Sequence, residues 1–223
     1  MAIKKAKTPI RRKSSGSLSV CLKDLQLLNH YYPDVRCALN YETPYQLLVA
    51  TVLSAQCTDE RVNQVTPALF RQFPDPEKMS TAKLQTVEKL IHSTGFYKNK
   101  AKNLVEAAKL LVQKHQGQVP QDLESLVQLP GVGRKTANVV LGNVWGIVSG
   151  IVVDTHVSRL TQRLGWTKEK TPEKIENDLM KIVPEDQWIQ VSHLLIQHGR
   201  GPCKARSPDC SHCFLQESCP SAP

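Results

Sequence analysis

Lys135 lies two residues past the second glycine of Leu129-Pro130-Gly131-Val132-Gly133-Arg134-Lys135-Thr136-Ala137-Asn138. An unprotonated lysine amine can attack an electrophilic carbon. The positive end of its own helix disfavours the ammonium form, and partial burial acts in the same direction. Further along, Val153-Asp154-Thr155-His156-Val157 puts a carboxylate at a predicted helix start, where the same partial charge favours the ionised form. Such a carboxylate can stabilise cationic charge developing beside it or accept a proton from the lysine. Taken alone, Asp154 is an ordinary N-cap. Lys135 gives it a second meaning.

A second group of reactive side chains closes the chain. Cys203, Cys210, Cys213 and Cys219 are spaced Cys-x6-Cys-x2-Cys-x5-Cys. Thiolates gathered this closely hold soft metals. Zinc usually takes two Cys-x2-Cys knuckles with a longer spacer between them. One close pair flanked by two wider intervals suits a [4Fe–4S] cube better, although spacing alone leaves zinc open. Lys204 and Arg206 lie between the first two cysteines, where a metal-tethered loop would present them to a phosphate; a solvated charged loop is the plain alternative. Cys21, Cys37 and Cys57 sit in helical or apolar surroundings and behave as small hydrophobes.

The elements that must carry these groups are helical by period. Leu18 to His30 places Leu18, Cys21, Leu22, Leu25 and Leu28 on one face. Thr43-Pro44 opens Tyr45 to Ala55, and Thr58-Asp59-Glu60 opens a helix that Pro67 bends or restarts. Thr81 is expected to cap Ala82 to His92, and Tyr97 to His115 is the longest periodic run. Asp122 to Gln128 and Arg134 to Trp145 flank Gly-Val-Gly, so backbone N–H groups at the second helix's start form an anion site that glycine lets a phosphate approach. The β-branched stretch Ile147 to Val153 has no strand partner and reads as a buried connection. Asp154-Thr155 caps Val157 to Leu164, Thr171-Pro172 opens Glu173 to Ile182, and Glu185 to His198 is the last helix. The fold class is all-α, with short loops and no repeat.

Composition narrows the partners. The 223 residues carry a formal charge of +9, but residues 1–16 hold Lys4, Lys5, Lys7, Arg11, Arg12 and Lys13 with no acid, leaving the body at +3. The tail reads as a disordered basic arm adding salt-sensitive affinity for a polyanion, with organellar targeting as the lesser alternative. No apolar run reaches the length of a membrane span, and no secretory segment stands out. A soluble intracellular monomer with no membrane partner is expected, so the cysteines read as ligands or reduced thiols before disulfides.

Two nucleotide motifs are excluded. A Walker A loop needs glycine where Arg134 stands, and a dinucleotide fingerprint needs it where Thr136 stands. The remaining pattern, apolar-x-Gly-apolar-Gly-x-x-x-Ala, is that of a helix–hairpin–helix element. Together with Val153 to Val157 and the four cysteines, it resembles the endonuclease III family of DNA base-excision glycosylases. Leu53-Ser54-Ala55-Gln56-Cys57-Thr58-Asp59 and Gly95-Phe96-Tyr97-Lys98-Asn99-Lys100-Ala101 resemble that family's two DNA-penetrating loops, and the match runs from about residue 18 to 220.

The resemblance implies a two-lobed all-α helix–hairpin–helix DNA glycosylase fold with a C-terminal iron–sulfur cluster loop. Its six-helix domain would span 37–149, with the hairpin at about 122–145, and its cluster domain 17–36 plus 150–223. It implies a bifunctional enzyme acting on duplex DNA that carries oxidised pyrimidines or abasic sites, in the cytoplasm or nucleoid if the source is bacterial. Lys135 would displace the flipped base, form a Schiff base with deoxyribose and cleave by β-elimination, with Asp154 assisting. Cys203, Cys210, Cys213 and Cys219 would hold a [4Fe–4S] cluster. Gln56 would fill the hole left by the flipped base, and Phe96 would wedge against the orphan base; their plain alternatives are a helix-end glutamine and a core phenylalanine. Gly131, Gly133, Arg134, His156, Lys204 and Arg206 would contact DNA, although His156 is equally a structural imidazole. The adenine-removing branch resembles the chain less: it carries a carboxylate near Val49-Ala50-Thr51-Val52, no lysine at position 135 and a further C-terminal domain. A non-catalytic DNA-binding protein would not need Lys135 together with Asp154.

Overall fold

Short polar side chains decide where most helices begin. The Thr43 hydroxyl accepts from Gln46 N at 3.2 Å and the Thr58 hydroxyl from Arg61 N at 3.3 Å. Carboxylates of Asp75, Asp122 and Asp154 accept from the third backbone N–H beyond them at 2.7, 2.7 and 2.8 Å. A computed structural model describes residues 18–223, and the basic tail of residues 1–16 lies outside the described residues. The described chain is all-helical, with eleven α-helices and three 3-10 turns. In order they are α1 Leu18–Tyr31, α2 Pro44–Ser54, α3 Asp59–Gln72, α4 Pro76–Ser80, α5 Leu84–Ile91, α6 Tyr97–His115, α7 Leu123–Val127, α8 Arg134–Trp145, α9 Thr155–Arg163, α10 Pro172–Ile182 and α11 Trp188–Arg200.

Several boundaries differ from the sequence expectation. Helix α4 is five residues long, too short to reveal a period, and Thr81 ends it with the hydroxyl turned back to Lys78 O at 3.3 Å. Thr81 therefore does not open the next helix; α5 starts after Lys83, without a side-chain cap. Pro67 does not restart α3, which runs unbroken through it from Asp59 to Gln72. Thr171 occupies the cap position of α10 without making a cap bond. Glu185–Gln187 is a 3-10 turn that delays α11 to Trp188. The Ile147–Val153 stretch is indeed an irregular buried connection, with Ile151 and Val153 in the core.

Two apolar cores result. One is built from residues between Leu39 and Leu141, with α2 at its centre: every residue from Leu47 to Leu53 is buried. A helix apolar on all sides must be surrounded, and α3, α6 and α8 pack around it. The other core joins Cys21, Leu25 and Leu28 of α1 to residues between Ile151 and Leu215, so both ends of the described chain close one lobe. Asp24 ties this lobe together from α1. Its buried carboxylate accepts from Trp166 Nε1 at 3.1 Å and from the Ser218 hydroxyl at 2.5 Å. At the seam, His193 of α11 meets Asn143 Oδ1 of α8 at 2.9 Å.

Candidate active site

The hairpin between α7 and α8 is anchored from beneath and open above. Leu129 and Val132 are buried in the first core, while Gly131 and Gly133 are exposed. Gly131 is in the left-handed region at φ +80°, and a Cβ there would sit 2.9 Å from Asn103 Nδ2 of α6. Both the backbone and the packing therefore require glycine. At Gly133 nothing lies within 4 Å of a Cβ position, and no side chain caps α8. The first-turn N–H groups of α8 are left for an external acceptor, as the sequence suggested.

Lys135 occupies that first turn and is exposed. The partial burial expected from sequence is not found. Arg134 is held from the side: its Nη2 donates to Ser149 O at 3.0 Å and lies 3.6 Å from Glu176 Oε1 of α10. The Ser149 hydroxyl donates to Asn138 Oδ1 at 2.6 Å, and the Ser192 hydroxyl donates to Val152 O at 2.9 Å. Helix α8 and helix α11 thus both grip the connection leading to Asp154. Asp154 is half-buried, and its Oδ1 caps α9. Lys135 and Asp154 line one cleft of about 680 Å³, together with Asn138, Val153, Ser158 and Glu173.

His156 follows in the first turn of α9, half-buried. Burial pushes its pKa down, Asp154 partly offsets this, and Arg159 and Arg200 add to the depression. The ring is neutral at neutral pH. Arg159 Nη2 approaches its Nδ1 at 3.3 Å, and because a guanidinium can only donate, Nδ1 accepts and Nε2 carries the proton. Arg159 also donates to Gly199 O at 3.0 Å and Cys203 O at 3.2 Å, linking α9 to the first cysteine of the cluster. No local pattern in the sequence marks this role for Arg159, nor the Asp59–Arg200 ion pair that joins the two cores at 2.5 Å.

Gln56 and Phe96 are both exposed and both in the left-handed region, at φ 54° and 47°. Only Gln116 and Ser207 share that conformation among the described non-glycine residues. For a bulky side chain this is a strained backbone, costing about 1–3 kcal/mol. Phe96 is 65 % exposed, which removes the core-phenylalanine alternative.

The four C-terminal cysteines line one pocket with His198 and Arg163. Burial first, and then the neighbouring Cys203 and Cys210, push up the thiols of Cys213 and Cys219. Among the described residues no three His, Cys, Asp or Glu side chains converge as a single-ion site. Four soft cysteine sulfurs around one pocket are a donor set that fits an iron–sulfur cube. Arg163 Nη1 donates to Cys203 Sγ at 3.3 Å, and His198 Nε2 lies 3.4 Å from Cys213 Sγ. Arg163 also holds Lys204 O and Ala205 O at 2.8 and 3.0 Å, so the loop is braced while the side chains of Lys204 and Arg206 stay exposed.

Comparison with known proteins decides the family. The model for the HhH-GPD superfamily base excision DNA repair protein matches residues 49–185, and that for the iron–sulfur binding domain of endonuclease III matches residues 203–219. The chain is 53 % identical over 211 residues to an endonuclease III of Synechocystis sp., covering 95 % of this chain and 96 % of that one. The chain belongs to the endonuclease III family. The endonuclease III of Escherichia coli K12 is 39 % identical, with 89 % and 93 % covered. A solved non-covalent endonuclease III–DNA complex matches with a TM-score of 0.88 at 40 % identity, covering 93 % of this chain and 97 % of that one. A trapped covalent endonuclease III–DNA intermediate matches with the same TM-score, identity and coverage. As an endonuclease III, the chain is a DNA glycosylase and abasic-site lyase for oxidised pyrimidines, with a [4Fe–4S] cluster as cofactor. Its two cores are the two lobes of the helix–hairpin–helix glycosylase fold. Among the described residues no helix is long and apolar enough to cross a membrane.

Proposed function

We propose that Lys135 is the nucleophile of this endonuclease III. Its Nζ attacks C1′ of a deoxyribose whose damaged base has been turned out of the duplex, and the base leaves, taking up a proton. The amine gives its proton to Asp154, and the C1′–O4′ bond opens with protonation of O4′ to give the Schiff base. This then loses the C2′ proton and expels the 3′ phosphate by β-elimination. The observation that carries this reading is the opening of Lys135 and Asp154 into one cleft, with the uncapped start of α8 beside it. Lys135 is exposed in the first turn of α8, where a nucleotide entering the cleft can reach its amine. Asp154 is the counter-charge to the developing sugar cation and an acceptor for the lysine's proton.

The remaining roles follow the same geometry. Gly131 and Gly133 let a backbone phosphate meet the N–H groups of α8, and Arg134 flanks that contact with the part of its side chain not used on Ser149. His156 offers its Nε2–H to the extruded nucleotide or its phosphate. Gln56 fills the vacated position in the stack, and Phe96 stacks on the orphan base. Lys204 and Arg206 hold phosphate from the braced loop. Cys203, Cys210, Cys213 and Cys219 hold the cluster, which supplies a rigid tether for that loop. The lobes run from 37 to 149 and from 17 to 36 plus 150 to 223. The substrate is duplex DNA with a damaged pyrimidine or abasic site, and the protein acts as a monomer in the bacterial cytoplasm.

Borohydride trapping tests the central claim. Wild-type protein with a full iron complement, incubated with an abasic duplex and borohydride, gives a covalent adduct that Lys135→Ala abolishes. An adduct of undiminished yield from Lys135→Ala overturns the assignment.

A further inference from the structure

Lys100 is buried at 5 % exposure, one of very few charged side chains in the interior of the described structure. It lies in the first turn of α6, and its ammonium donates to two backbone carbonyls, Leu53 O and Thr94 O, each at 2.8 Å. Leu53 belongs to the last turn of α2, three residues before Gln56. Thr94 ends the 3-10 turn His92–Thr94, two residues before Phe96. The backbone N–H of Lys100 also donates to Phe96 O at 3.1 Å. One residue therefore binds the approaches to both exposed left-handed positions.

The chemistry of the contact is informative. Burial lowers the Lys100 pKa, so the fold works against this charge and holds it with carbonyl dipoles rather than with a carboxylate. Filling the space would take only an apolar side chain of similar length. What the ammonium adds is a two-carbonyl bridge between Leu53 and Thr94, segments far apart in sequence, which fixes the spacing of the two loops. The last-turn carbonyl of α2 also gains a cation at the negative end of its helix.

We propose that Lys100 is a positioning residue for base extrusion: its ammonium locks the Gln56 loop to the Phe96 loop so that both side chains enter the duplex as one unit. This rests on the reading of Gln56 and Phe96 as the residues that enter DNA. Lys100 touches neither the substrate nor the reacting atoms. Its removal therefore slows the step that turns the base out and spares the chemistry at Lys135.

The test compares Lys100→Met with Phe96→Ala and Gln56→Ala, all in the cluster-loaded protein. Two single-turnover rates are read: excision of an oxidised pyrimidine from duplex, and cleavage of a preformed abasic site in a single strand, which requires no extrusion. Lys100→Met is expected to slow duplex excision by about 10²-fold and to leave single-strand cleavage within about twofold. Hydrogen exchange in this variant should quicken at residues 53–58 and 94–98 only. Lys100→Gln, which keeps N–H donors at shorter reach, shows the same split and serves if Lys100→Met yields little folded protein. Combining Lys100→Met with Phe96→Ala should slow excision no further than the slower single variant. Equal loss of both rates, or no loss of duplex excision while the Gln56 and Phe96 variants do lose it, overturns the role of Lys100. Full duplex excision by Phe96→Ala and Gln56→Ala instead removes the reading beneath it.

Discussion

Arg200 Nη2 meets Asp59 Oδ2 at 2.5 Å and pins the last turn of α11 to the first turn of α3, across the seam between the two lobes. Both groups also act on His156. The pair is partly exposed, so a double-mutant cycle with Asp59→Ala and Arg200→Ala should give a coupling of about 1 kcal/mol or less, smaller still in high salt. Urea unfolding at two ionic strengths measures it. Strict additivity at low salt would show that the contact does not hold the lobes.

Asp154 serves two ends at once, and substitutions separate them. Asp154→Asn keeps a capping oxygen, so its Tm should stay near that of the wild type, while base excision falls by about 10²-fold or more. Asp154→Ala loses the cap as well, about 1 kcal/mol, or roughly 2–4 °C in a chain of this size. Excision by Asp154→Asn at the wild-type rate would reduce Asp154 to its capping role.

His193 lies at the seam and its pKa is lowered by burial. Its unfolded form takes up a proton below the usual histidine value, while the folded form takes it up only at lower pH. Stability from neutral burial is therefore complete above pH of about 6.5 and is lost as pH falls through the folded value. His193→Gln, which can still donate to Asn143, should lose less stability than wild type between pH 7.5 and 5.5 in parallel denaturant titrations. Identical pH slopes for the two proteins would exclude His193 as the source.

Removing iron tests the cluster as a tether. Without it, the loop from Cys203 to Cys219 keeps Arg163, Asp24 and a few backbone bonds. Limited proteolysis of iron-depleted protein should cut within 203–219 first and leave residues 39–141 intact, as mapped by mass spectrometry. Cleavage first within residues 39–141 would show that the cluster's influence reaches across the seam.

Residues 1–16 carry six of the positive charges. Deleting them should flatten the plot of log affinity for duplex against log salt, while strand cleavage at saturating protein is unchanged. An unaltered slope removes the tail from DNA binding.

Local chemistry was enough to determine much of this protein. Thr43, Thr58, Asp122 and Asp154 each reach a backbone N–H three residues ahead, so those helix starts are written in adjacent residues. The same holds for Gly131, Gly133 and the four cysteines, whose spacing is itself the signal. Helix α4 and the non-capping Thr81 escaped because five residues show no period and a hydroxyl can turn either way. Tertiary structure alone decided the exposure of Lys135 and Phe96, and it alone brought Asp59 to Arg200 and Lys100 to Leu53 and Thr94. Those partners lie far apart along the chain. A charge's meaning depends on which carbonyl or carboxylate the packed helices carry to it, and no local pattern records that meeting.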